Sequence, residues 1–288
     1  MKSKTLSMLI LSCFSFILLN TSCNNNDEHD AQLLILSTTK VTAKINEEFS
    51  VDITLSNKES FHNILVEKTI SGKKIESYHK TLNVAEMQFP YTFKEEVVPE
   101  DETGVVVYSF YGMTASGSQL DASDVIVSVN ITQLYRLLKY DWKLASQIIQ
   151  KEEYAEAYMK DDVYRFNEDW SWELDWGTTL SASALETLDS YCGWKMIGTD
   201  EKIDSIYMIK YNIFSPANAV VTKYKVMSLQ DEELILESRQ DLSFLPGFSN
   251  QEPIQETYIA EPKSADFKPY RGSDPNSYKV EACKPGTY

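Results

Sequence analysis

The chain holds three histidines, His29, His62 and His79, and none after position 79. Residues 80–288 therefore cannot assemble a Ser-His-Asp or Cys-His nucleophile, or a histidine-based zinc site. His62 and His79 sit beside turn or polar residues and read as ordinary exposed side chains. Adjacent acids occur at Glu95-Glu96, Glu152-Glu153 and Asp161-Asp162. With 43 acids such pairs arise by chance, and neighbours in a strand point to opposite faces rather than at one substrate. No P-loop, GxGxxG, HExxH or EF-hand string is present. The sequence thus assigns no catalytic residue, cofactor or metal, and the expected protein is not an enzyme. Its informative chemistry is aromatic. All five tryptophans lie between positions 142 and 194. In strand geometry Trp170, Trp172, Leu174 and Trp176 share one face, and Ser171, Glu173 and Asp175 share the other. Facing inward, that stripe fills a core or lines a cavity for an acyl, sterol or aromatic ligand. Facing outward, it is a platform on which sugar rings stack. Tyr191 and Trp194, beside Cys192, extend either surface.

The 288 residues carry 27 Lys+Arg against 43 Asp+Glu, a net charge of −16, and 43% are apolar. That is enough apolar material for one or two domains with proper cores. The acidic balance, without a basic cluster after residue 4, argues against nucleic-acid binding. Lys2 and Lys4 precede an apolar run from Leu6 to Leu19, followed by Asn20-Thr21-Ser22-Cys23. The run is shorter than the about 20 apolar residues a spanning helix needs, and reads as a secretion signal over residues 1–22. It resembles a bacterial lipoprotein signal, in which Cys23 becomes the first mature residue and carries the lipid. Leu19 stands one place further from the cysteine than the usual lipobox leucine and Asn20 replaces an aliphatic, a looseness similar to the Bacteroidota version. Residues 23–30, Cys23 to Asp30, form a polar acidic tether. They also resemble the acidic signal that sends such lipoproteins to the outer face of the outer membrane. Removing residues 1–22 takes away two lysines and no acid, so the net charge moves from −16 to −18. Attachment to the membrane would then rest on acyl chains, two of which suffice. Cys13 leaves with the signal and Cys23 takes lipid, leaving Cys192 and Cys283 as a possible disulfide in an oxidising compartment. Closing that loop of roughly 90 residues would stabilise by about 4 kcal/mol if the geometry permits.

These side chains need elements to hold them, and the periodicity is that of strands. Phe49, Val51, Ile53 and Leu55 alternate with polar residues, as do Val125, Val127, Val129 and Ile131. Val105 to Tyr111 is dense enough for a central strand. Turns are marked by Ser71-Gly72 and Ser116-Gly117, and Pro90 and Pro99 suit strand ends. About seven short strands over residues 31–133 predict a β-sandwich of immunoglobulin-like size. At Leu134 the texture changes. Strand-like runs follow at Val163–Glu168, Trp170–Trp176, Trp194–Thr199, Ile203–Tyr211, Ala219–Leu229, Glu233–Arg239 and Ile254–Ala260. With the Trp142 segment they make eight, which suits an up-and-down barrel over residues 134–260 whose interior is filled or holds one small ligand. Ser183-Ala184-Leu185-Glu186 has capping-box spacing, predicting a short helix over 183–190 at a barrel mouth. Residues 261–288 are proline-rich and read as an extended wrap or loose end.

Three pieces of residues 135–260 resemble the lipocalin-like domains common in Bacteroidota lipoproteins. Asp141-Trp142-Lys143-Leu144-Ala145-Ser146 is similar to the family's first strand, whose Trp plugs one barrel end. Tyr164 to Trp172 is similar to its aromatic-Asn-x-Asp-Gly-aromatic hairpin, with Trp170 in the place of glycine and therefore an altered turn. Tyr224 to Glu237 resembles its paired late strands around Ser-Leu-x-Asp-x-x-Leu. The resemblance implies a structural role for Arg239, covering the plugging Trp. The expectation is an all-β, lipid-anchored protein of the bacterial outer membrane, exposed or not at the surface. It would bind a small apolar or amphipathic ligand, with Trp142, Phe166, Trp172 and Trp194 as lining or plug. The alternatives are a carbohydrate-binding or adhesin-type protein, an accessory to glycan uptake, using Trp170 and Trp176, and a filled barrel that serves a protein partner.

Overall fold

The structure is a computed structural model that describes residues 32–179, 189–212 and 219–270. The signal and tether segments, Cys23, Cys283 and the capping-box residues Ser183 to Glu186 lie outside the described residues, so the cysteine pairing does too. Asp189 and Ser190, expected at the end of that helix, are strand.

The chain is all-β and builds two separate cores. In the first half, β1 (Leu34–Leu36), β2 (Lys40–Lys44), β3 (Glu48–Leu55), β4 (Asn63–Ile70), β5 (Lys73–Asn83), β6 (Tyr91–Glu96), β7 (Val106–Met113) and β8 (Gln119–Asn130) form two sheets. One runs β1-β3-β6, the other β2-β8-β7-β4-β5, with β2 parallel to β8. Alternation drives their packing. β3 buries Phe49, Val51, Ile53 and Leu55 and exposes the residues between them, and the Phe93 ring of one sheet meets Phe110 of the other edge-on at 5.1 Å. Strand β7 is central, between β4 and β8. Into this core Lys68 brings its ammonium to Asp101, 2.7 Å away, with both side chains buried.

The second half begins with a short helix, α1 (Gln133–Lys139), started by Thr132, whose Oγ1 accepts from the Tyr135 backbone N–H. It leads directly into β9 (Tyr140–Ile149), followed by β10 (Glu152–Glu153), β11 (Val163–Phe166), β12 (Trp172–Asp175), β13 (Asp189–Gly198), β14 (Ile203–Asn212), β15 (Ala219–Leu229), β16 (Glu233–Gln240) and β17 (Glu252–Pro262). The antiparallel order is β12-β11-β9-β17-β16-β15-β14-β13, with β10 a short addition to β9. The path nearly closes into an eight-stranded barrel. At the seam between β12 and β13, the Trp194 N–H donates to the Trp170 carbonyl at 2.9 Å. Closure removes the exposed edges that an open sheet of this length would present.

Helix α1 seals one end. Its Leu137 is fully buried and its Leu137 carbonyl accepts from Trp142 Nε1 at 2.9 Å. Gln133 Oε1 accepts from the Ile203 N–H, and Arg136 pairs with Asp231 at 2.5 Å, so the helix is tied to both the start of β14 and the β15–β16 turn. Lys139 pairs with Glu102 of the sandwich. After β17 the tail wraps the barrel as an extended strap. Ser264 N–H donates to Asp141, Lys268 N–H to Asp175, and Tyr270 N–H to the Leu174 carbonyl on the edge strand β12.

Candidate ligand-binding cavity in the barrel

The end of the barrel away from α1 is open, and a cavity of about 400 Å³ runs into it. That lies in the range of small-molecule sites. Its depth follows from how the inward residues are graded. Near α1 the interior is packed solid by Trp142, Phe166 and Trp194, each almost wholly buried, with Phe166 edge-on to Trp194 at 5.4 Å. Higher up, Leu144, Trp172, Leu174 and Met208 line the cavity, and at the mouth Leu242, Leu245 and Phe248 of the β16–β17 loop close over part of it.

One wall is a continuous belt of rings. Tyr258 meets Tyr164 edge-on at 5.0 Å, Tyr164 stacks parallel to Trp172 at 5.9 Å, Trp172 touches Tyr191 at 4.8 Å, and Tyr191 leads to Trp176 at 6.2 Å. The Tyr270 ring of the strap meets Trp176 at 6.1 Å. Trp172 is fixed by its Nε1, which donates to the Ile209 carbonyl at 2.9 Å. Trp176 Nε1, by contrast, is buried without an acceptor among the described residues.

Beside this belt, on β9 and β17, the cavity has a polar side, and a slip in strand pairing supplies part of it. Tyr258 pairs with Leu144, yet Thr257 pairs with Ser146, so Ala145 is an extra residue on β9. A bulge of this kind reverses the facing of the residues beyond it on its strand. Leu144 and then Gln147 and Ile149 face the cavity, where strict alternation would have brought in Ser146. On β17 the inward set is Ile254, Glu256 and Tyr258. Gln147 Nε2 thereby reaches Glu256 Oε1 at 3.0 Å, and Tyr258 OH donates to Glu256 Oε2 at 3.0 Å. Burial raises the Glu256 pKa above the ordinary carboxylate value, and the two hydrogen bonds only partly oppose it. Burial, reinforced by the Glu256 charge, also pushes the Tyr164, Tyr224 and Tyr258 phenols well above 10, so their hydroxyls stay protonated. Asp162, Lys210, Thr222 and Gln240 complete the polar lining.

The six aromatic residues singled out from sequence therefore divide three ways. Trp172 and Trp176 line the cavity; Trp142, Phe166 and Trp194 are packed beneath it; Trp170 lies on the surface. The expected shared face of Trp170 to Trp176 holds for Trp172, Leu174 and Trp176, which all line the cavity, and fails at Trp170, because β12 begins only at Trp172. Trp170 sits in the hairpin before it, 36% exposed, its ring 4.7 Å from Trp194. It takes φ of +64°, the left-handed conformation that favours glycine. Two backbone bonds close the turn: Trp170 N–H donates to the Asn167 carbonyl and Asn167 N–H to the Ser171 carbonyl. Among the described residues the indoles make no exposed row.

Arg239 does not cover Trp142. It pairs in register with Pro253, whereas Trp142 pairs with Ala260. Seven residues along β17 separate the two levels by about 23 Å. Arg239 lies near the open end, its side chain 58% exposed, donating to the Gln251 carbonyl. The arginine at the Trp142 level is Arg165 of β11, which sequence reasoning missed. It grips Asp141 with two bonds of 2.7 Å, donates to the Ser264 carbonyl at 2.8 Å, and lies 4.0 Å over the Phe267 ring. Its position opposite Asp141 on the neighbouring strand carries no one-dimensional signal. Neither do Gln147 and Glu256.

Among the described residues no helix is long and apolar enough to cross a membrane, and no group of three or more His, Cys, Asp or Glu is placed to hold a metal. Fold and cavity together define an all-β chain with a nearly closed barrel, compatible with a lipocalin-like binding fold. No family profile matches the chain, and no curated protein matches it.

Proposed function

We propose that this chain is a lipid-anchored protein of the bacterial outer membrane, held by Cys23, whose barrel binds one small amphipathic ligand without transforming it. The observation that carries the reading is the cavity: about 400 Å³, open at one end, with a belt of rings beside a polar side that holds Glu256 and Gln147. Apolar walls with a few placed polar groups are what small-molecule sites offer. Packing of Trp142, Phe166 and Trp194 beneath the cavity fits a plug rather than a pore. The similarity of residues 135–260 to lipocalin-like domains, and of residues 1–23 to a lipoprotein signal, supports the same reading.

The test is intrinsic tryptophan fluorescence of the protein titrated with acyl and aromatic ligands and, separately, with oligosaccharides. A saturable shift with an apolar or amphipathic ligand that disappears in Trp172→Ala is the expected result. A response confined to sugars would sink the cavity reading, as would silence across both panels. Anchoring is tested by labelling cells with an alkynyl fatty acid. Label should enter the native chain and not Cys23→Ala.

A further inference from the structure

The cavity contains a buried carboxyl group whose hydrogen-bond partners among the described residues are neutral. Glu256 is 7% exposed. Its Oε1 accepts from the Gln147 amide and its Oε2 from the Tyr258 hydroxyl, each at 3.0 Å. A carboxylate has about four acceptor positions, so two remain to be filled. No cation is among the influences on Glu256; burial is the largest and the two hydrogen bonds are the others. Around it stand Gln147 from β9, Tyr164 from β11, Tyr224 from β15 and Tyr258 from its own strand. The other charged groups of the cavity are Asp162, just before β11, and Lys210 on β14. The phenols stay protonated, so they present ring faces and O–H groups rather than charge.

We propose that Glu256 anchors a protonated amine, and that the ligand is a small amphipathic amine whose apolar body lies along Tyr164, Trp172 and Tyr191 toward the mouth. This rests on the ligand-binding reading above. An ammonium group supplies what none of these neighbours of Glu256 offers, a positive charge with three donors. Its bond to a carboxylate is charge-assisted and stronger than a neutral one, and the ring faces beside it attract a cation further. A fatty acid seated the same way would instead place a second negative charge against Glu256, leaving only Lys210, among the described lining residues, to attract it.

The experiment compares three ligands of one shape, 4-phenylbutylamine, 4-phenylbutanol and 4-phenylbutyrate. They are titrated into the full-length chain in nanodiscs, with empty nanodiscs as blank, and followed by tryptophan fluorescence. At pH 7.5 the amine should bind about tenfold more tightly than the alcohol, equivalent to roughly 1.4 kcal/mol, and the acid more weakly than the alcohol. Glu256→Gln should abolish the difference in affinity between amine and alcohol. Acidifying the native chain through the Glu256 pKa should weaken the amine alone. Equal binding of amine and alcohol to the native chain, or a preference that survives in Glu256→Gln, overturns the amine assignment and leaves the cavity reading standing. Absence of saturable binding by all three overturns both. Should Glu256→Gln lose the alcohol as well, the native pH profile decides, and an amine preference that does not fall on acidification overturns the proposal.

Discussion

Gln147 and Glu256 are register partners on β9 and β17, and they meet inside the barrel, 3.0 Å apart, only because Ala145 is bulged out between Leu144 and Ser146. One extra residue in a strand thus sets Gln147, in place of Ser146, beside the inward Glu256.

The buried carboxyl makes stability depend on pH in a defined direction. Its folded pKa is raised above the ordinary value of 4.5. Between those two values the folded state holds the proton that the unfolded state has released, so stability falls as pH rises through this window and the loss is complete above the folded pKa. Carboxylates with lowered values, such as Glu153, Asp161 and Asp169, act below their ordinary values and in the opposite sense. Thermal melts from pH 4.5 to 8 should therefore decline for the native chain and flatten in Glu256→Gln. Parallel curves for the two proteins would refute the assignment.

The strap over β11 and β12 should depend on Arg165, which links Asp141, the Ser264 carbonyl and the Phe267 ring. Arg165→Ala leaves the Asp141 carboxylate buried without its cation, a loss on the order of 3 kcal/mol. Denaturant titration gives the loss. Limited proteolysis should show new cleavage within residues 263–270, and an unchanged digestion pattern would count against the strap.

At Trp170 backbone strain and ring contact can be separated. Trp170→Ala keeps a side chain at φ of +64° and removes the contact with Trp194, whereas Trp170→Gly removes both contact and strain. The glycine variant should be the more stable of the two by about 1 kcal/mol. Equal melting of the two variants would mean that the turn relaxes instead.

In the sandwich, Lys68 and Asp101 form a buried pair, with the ammonium also 5.4 Å from the Tyr108 ring centroid. Asp101→Ala strands a buried cation and should destabilise by about 3–5 kcal/mol. The double variant Lys68→Met/Asp101→Leu should recover most of that. Urea unfolding of the three proteins measures it, and a double variant no better than the single one would show that packing, not charge, holds the site.

Much of the fold was legible in the chain. Period-two alternation in Phe49 to Leu55 reappears as β3, and the eight predicted runs after Leu134 correspond to the eight strands of the barrel path. The candidate site was less so. Trp172 was visible as an aromatic on an alternating strand, but Glu256 and Gln147 looked like two more polar residues in an acidic protein. Arg239 was chosen by position along the chain, and Arg165 took the place beside Asp141 because pairing register, not order in sequence, sets which side chains share a level of the barrel.

What the sequence determined by itself is what depends on neighbours along the chain: alternation makes strands, and short turns make antiparallel neighbours. Tertiary structure alone decided which face of each strand turned inward, since period two is satisfied equally by either. It buried Trp172 and left Trp170 at the surface, and it let a single bulged residue carry Gln147 across to Glu256. Contacts of that kind join residues over a hundred positions apart, and only the pairing of the first and last barrel strands, β9 and β17, brings them within hydrogen-bonding distance.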